Sequence, residues 1–210
     1  MITEEIAVTA ARLVVDEGME YAAAKKRALR DLGLQRSRQA ELPTNEQLED
    51  EIRTHIALFC ADTQPAELRA LREAALVWME RLADFRPHLS GAVWRGTATR
   101  LSAVHIDLYC DDTKAAQIAL INAGVDFDSG HLDRPGKEPL IVLTVGHTSH
   151  ALGEVVTLHL SLHDTDDQRG ALKPDARGRS WRGAMAAVRR LMDEHAASRA
   201  GNGAGSGAAP

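Results

Sequence analysis

His105-Ile106-Asp107 is the one short stretch of the 210-residue chain whose spacing points to chemistry. It lies in Val104–Cys110, where apolar and polar residues alternate. Alternate side chains of a strand share a face, so His105 and Asp107 aim at one region while Val104, Ile106 and Leu108 face a core. A carboxylate there can hold a cation, and an imidazole can bind a softer metal. Upstream lies Gly96-Thr97, a turn whose backbone amides can approach phosphate. Downstream, Glu154 and Asp164 flank the apolar run Val155–Leu162. The other face of that run carries Thr157, His159, Ser161 and His163. His159 and His163 lie four residues apart on a strand, about 13 Å, too far to hold one ion by themselves. Arg169, Lys173, Arg177, Arg179 and Arg182 form a basic stretch before the last helical pattern, and Ser180 is placed to cap that helix.

The segment from Gly91 to Leu108, with Gly96-Thr97 followed by His105-Ile106-Asp107, resembles the signature of the nucleotidyltransferase superfamily. That signature is a strand ending in a Gly-Ser or Gly-Gly turn, followed by an Asp-x-Asp pair on the next strand. The resemblance implies a nucleoside triphosphate partner and Mg²⁺ as cofactor. Asp107 would be the surviving metal ligand, with His105 in the place of the first aspartate. Glu154 or Asp164 would be a makeshift third carboxylate. Gly96 and Thr97 would cradle phosphate, and Arg100, Arg179 and Arg182 would neutralise it. The departures are plain: Thr97 replaces serine, His105 replaces an aspartate, and the strand Val155–Leu162 holds no acid. Imidazole is a poor ligand for a hard ion such as Mg²⁺. The resemblance therefore implies the fold more firmly than the reaction: a degenerate nucleotidyltransferase that binds nucleotide, or transfers a nucleotidyl group if active. The alternative is a non-catalytic module that uses its helical region to bind a protein.

The elements that must position these residues follow from periodicity. Ile6, Ala10, Leu13 and Val14 mark a first helix that Gly18 ends, and Tyr21–Leu32 a second closed by Gly33. Thr44 and Gln47 form a capping box before Leu48, Ile52, Ile56 and Phe59. Gln64-Pro65 opens a helix carrying Leu68, Leu71, Ala75 and Trp78. Beyond Pro87 the pattern is strand-like: a short run at 91–94, then Val104–Cys110. A helix from Asp112 follows, then a loop over 126–139 and two strands at 140–145 and 155–162 joined by a loop. Trp181, Ala184, Val188 and Leu191 mark a last helix. The expected architecture is α+β: a helical region over 1–87, a β-β-α-β-β-α domain with a mixed or antiparallel sheet of about four strands over 88–196, and a disordered tail over 197–210.

Charge and composition exclude much else. Apolar residues make up 44%, and no stretch is long and apolar enough to predict a membrane span. The acidic start without a cationic segment, and two cysteines 50 residues apart, predict a cytoplasmic chain without a disulfide framework. Residues 104–167 carry 3 basic and 11 acidic side chains, whereas 168–210 carry 8 basic and 3 acidic ones. The net charge of −5, and Glu49, Asp50 and Glu51 in the helical region, argue against DNA binding. There is no P-loop, no dinucleotide fingerprint and no nucleophile elbow. Asp164–Gly170 lacks the register and closing glutamate of a calcium loop.

Overall fold

The computed structural model describes residues 2–203, apart from 38, 39, 135, 172 and 176. Three helices come first: α1 (Ile2–Glu17), α2 (Tyr21–Asp31) and α3 (Asn45–Phe59). Gly18 and Gly33 adopt positive φ at the ends of the first two, as the punctuation predicts. Thr44 and Gln47 form the reciprocal capping box that opens α3. Ile6, Ala10, Leu13, Val14, Ala24, Leu48 and Ile52 bury into one apolar cluster between these helices. Helix α4 (Gln64–Arg81) does not join it. Its stripe of Leu68, Leu71, Ala75, Trp78 and Met79 packs with the apolar face of the sheet.

The sheet has six strands rather than four: β1 (His88–Ser90), β2 (Val104–Tyr109), β3 (Asp128–Arg134), β4 (Lys137–Ser149), β5 (Glu154–His163) and β6 (Arg182–Ala184). Their order is β3-β4-β5-β2-β1-β6. Only β2 and β5 run parallel; the other neighbours are antiparallel, so the sheet is mixed and the fold is α+β. Helices α5 (Gly91–Arg95), α6 (Thr113–Asn122), α7 (Asp167–Ala171) and α8 (Met185–Gly203) are the other α-helices among the described residues. Asp112 caps α6 through its side chain, accepting from the Lys114 amide at 2.9 Å. Val104, Ile106, Leu108, Leu143, Val145, Leu158, Leu160 and Leu162 form the core face, and His105, Asp107, His159, Ser161 and His163 share the opposite one.

Four local expectations are corrected. Residues 91–94 are helical, because Gly91 at φ 66° turns the chain out of β1 and Trp94 folds back to donate to the Ser180 carbonyl at 2.9 Å. The stretch 126–139 is largely β3 and the start of β4; β3 is an edge strand without a buried face, so it carries no apolar alternation to detect. The strands around 146–154 continue to Ser149 and resume at Glu154, leaving a tight hairpin closed by Gly153 at φ 68°. The last helix begins at Met185, after β6, so Ser180 does not cap it; its hydroxyl instead donates to the Arg182 carbonyl. Helix α8 continues through 197–203, and the tail expected beyond it, 204–210, lies outside the described residues.

Candidate functional site

Asp107 is 7% exposed in the middle of β2. His163 Nε2 lies 3.2 Å from its Oδ1. Arg182 Nη1 lies 2.8 Å from its Oδ2, off the line for a hydrogen bond, while donating to the Tyr109 hydroxyl at 2.7 Å. Register puts His163 beside Tyr109, and the two rings stack with centroids 5.3 Å apart. Burial pushes the Asp107 carboxyl up, but the His163 hydrogen bond and the Arg182 charge outweigh it and hold it below its ordinary value. The result is a buried anion gripped by a cation, with Oδ2 making no hydrogen bond.

One pleat away, His105 lies beside His159, ring centroids 5.2 Å apart. His105 Nε2 meets Glu20 Oε1 at 2.9 Å, and Thr144 Oγ1 meets His159 Nδ1 at 3.0 Å. Burial pulls the His105 pKa down, but the bond to Glu20 and the charges of Glu20 and Asp107 more than reverse it, so it is raised. His159 goes the other way, lowered by burial and by the neighbouring His105 charge. Glu20 comes from the turn between α1 and α2 and is itself held low, chiefly by His105. Side by side on one face, then, are an imidazole biased toward its charged form and one biased toward neutrality.

Two cavities adjoin this row. One, of about 270 Å³, is bounded by Val14, Met19, Glu20 and Tyr21 on one side and by Ser90, Gly91, Ala92, His105 and Asp107 on the other. The other, of about 400 Å³, is lined by Arg134, His163, Asp166, Asp167 and Arg182. The turn that opens onto the first cavity is Ser90-Gly91-Ala92, not Gly96-Thr97. Gly96 closes α5 with its carbonyl accepting from Gln64 Nε2. Thr97 is 1% exposed, with its hydroxyl 3.0 Å from that of Tyr21.

The remaining candidate residues scatter. Asp107 and Arg182 are brought together. Glu154 starts β5, seven residues before the Ser161 that pairs with Asp107, so it lies about 23 Å along the sheet. There it binds Arg100, Nη2 to Oε2 at 2.9 Å. Asp164 lies beyond the end of β5, exposed, its Oδ1 accepting from the Asp166 amide. Arg179 reaches Asp175 at 3.3 Å and Glu49 at 3.8 Å. Glu20 and Ser90-Gly91 were not found from sequence. Glu20 meets His105 only through the tertiary fold, whereas a glycine directly after a strand was a signal that the extended reading of 91–94 concealed.

No protein-family model and no curated protein matches the chain. Among solved structures it overlaps the Cid1 poly(U) polymerase with MgGTP bound, at 15% identity and a TM-score of 0.34, over 54% of this chain and 38% of that one. It overlaps Cid1 in complex with the UTP analog UMPNPP at 19% identity and a TM-score of 0.32, over 55% and 36%. A cytoplasmic RNA terminal U-transferase overlaps at 20% identity and a TM-score of 0.31, over 53% and 35%. The chain thus spans less than two-fifths of the length of these solved chains. An overlap this slight carries no chemistry across.

Proposed function

We propose that the chain binds a nucleotide on the Asp107 face of a nucleotidyltransferase-like sheet, without the paired-metal transfer that such a signature implies. The observation that supports this is the strand–glycine–helix turn at Ser90-Gly91-Ala92, sharing a cavity with Asp107 and His105. Apolar Val14, Met19 and Tyr21 on that cavity suit a base, while Arg182 and His163 on the adjoining one suit phosphates, Arg134 there being paired with Asp167.

The donor set does not fit a resident Mg²⁺ pair. Such ions want several hard oxygen ligands in octahedral array. Asp107 is the one carboxylate on its row of β2 and β5, its register partner is Ser161, and its charge is already matched by Arg182. Glu20, the next acid, bonds His105. Among the described residues, no group of three histidine, cysteine or acidic side chains is placed to hold a metal ion. Glu154 is too far along the sheet to repair this, and Asp164, exposed beyond the end of β5, accepts from the Asp166 amide instead.

Calorimetric titration with ATP, GTP, CTP and UTP, each with and without Mg²⁺, tests the reading. One nucleotide should bind with a Kd that Mg²⁺ changes by less than about threefold, under about 0.7 kcal/mol. Asp107→Asn should leave that binding intact or tighter, since it releases Arg182 toward phosphate. A Mg²⁺ effect of about tenfold or more, abolished in Asp107→Asn, would restore the metal-dependent reading; no binding at millimolar nucleotide would defeat both. Leu58 and Phe59, 70% and 71% exposed at the end of α3, support the second reading, a protein partner for the helical region. Replacing both with serine should then abolish complex formation while leaving nucleotide binding unchanged.

A further inference from the structure

A further cavity of about 520 Å³ lies at the far end of α5, between the first turns of α4, Gly96 and α8. Arg72 sits on its wall and is 2% exposed. Its guanidinium donates from Nε to the Val93 carbonyl at 3.2 Å and from Nη2 to the Trp94 carbonyl at 3.4 Å. Nη1 lies 2.8 Å from His195 Nδ1, which accepts from it. All three acceptors are neutral, and among the described residues no carboxylate pairs with Arg72. Of the other charged groups on the wall, Arg69 is engaged by Glu73 at 2.9 Å, and Asp62 makes no ion pair with Arg72. Burial alone lowers the Arg72 pKa to about 10.

A buried cation without a counter-ion is costly unless something neutralises it. A guanidinium has five N–H groups in a flat fork. Three are used here, leaving one on Nη1 and one on Nη2. Such a pair matches the two oxygens of a carboxylate better than any point anion. Leu68 and Met192 supply an apolar wall beside it. The volume is in the range of small-molecule sites.

We infer that this cavity binds a small organic carboxylate, its two oxygens on the remaining Nη1 and Nη2 hydrogens of Arg72 and its aliphatic body against Leu68 and Met192. The site is separate from the nucleotide face and does not depend on the proposal made for it.

The full chain, labelled with ¹⁵N, is titrated with sodium hexanoate, with hexanamide and inorganic phosphate as parallel probes. Hexanoate should saturate, shift amides around Arg72, Gly96 and Met192, and bind at least about tenfold tighter than either other probe. His195→Glu puts a carboxylate within reach of Nη1; it should raise the melting temperature and weaken hexanoate about tenfold or more. Met192→Trp fills the apolar part while keeping Arg72, and should exclude hexanoate even if Arg72 variants fail to fold. The inference is overturned if hexanoate does not bind at millimolar concentration or binds no better than hexanamide. It is equally overturned if phosphate binds more tightly, or if His195→Glu and Met192→Trp bind hexanoate as the unaltered chain does.

Discussion

Glu49 ties α3 to the end of α5, and its removal has a calculable cost. It lies on α3, 1% exposed. Arg95 at the end of α5 donates Nε to both of its oxygens at 3.0 Å and Nη2 to Oε2 at 2.7 Å. Arg53 adds a bond at 2.6 Å to Oε1. Arg95 also reaches Asp175 Oδ2 at 3.0 Å, so it would keep one acid if Glu49 were lost. Glu49→Gln preserves shape but turns one oxygen into a donor facing a guanidinium. Breaking a buried ion pair from one side costs about 3–5 kcal/mol, and the remaining Asp175 places this case near about 3 kcal/mol. For a chain of 210 residues, each kcal/mol moves the melting temperature about 2–4 °C, so the expected fall is about 6–12 °C. Differential scanning calorimetry with matched urea melts measures it. Glu49→Leu combined with Arg95→Met should be less destabilised than Glu49→Leu alone, because the buried Arg95 charge is removed with its partner while Asp175 keeps Arg179. A Glu49→Gln shift under about 2 °C would refute the idea that this acid is both buried and paired.

Three further outcomes follow from particular contacts. Glu20 is held below 4.5 and His105 above 6.5, so their pairing contributes fully between those pH values. It fades as pH rises through the raised histidine pKa, or falls through the lowered glutamate pKa. The melting-temperature gap between the unaltered chain and Glu20→Gln should therefore be widest near about pH 5.5 and narrow by about pH 9; a gap that widens with alkali contradicts the pairing. Gly183→Ala would drive a Cβ into the Trp94 ring, which must then shift, and should cost about 2–3 kcal/mol in urea denaturation. Arg100→Ala removes an exposed pair with Glu154 and should leave the melting curve unchanged; nucleotide affinity should also hold, since Arg100 lies far from Asp107.

What the sequence revealed depended on how local the cause was. The alternation in β2, the Thr44 capping box and the Asp112 cap are each written within a few residues, and each is found where expected. The polar row of His105, Asp107, His159 and His163 was legible as faces, but the parallel register that sets His163 diagonally across from Asp107 was not. The basic stretch was visible, yet its members divide: Arg182 reaches Asp107, Arg177 pairs with Asp50 and Arg179 with Asp175. Val-Trp inside 91–94 has the composition of a strand, and the turn at Gly91 together with the packing of Trp94 against Gly183 and Ser180 accompanies its helical form. Glu20 carries no local mark, because its partner is 85 positions away.

The borders of the sheet bear on how the chain behaves in a crowded solution. A strand at a border offers unpaired backbone groups that can recruit a neighbouring molecule and seed aggregation. Strand β3 forms one border with Asp128, Asp133 and Arg134 among its seven residues, and with Gly130 in place of a side chain that could pack. At the other border β6 is three residues long and runs directly into α8. Charge at one end and brevity at the other both work against lateral growth of the sheet.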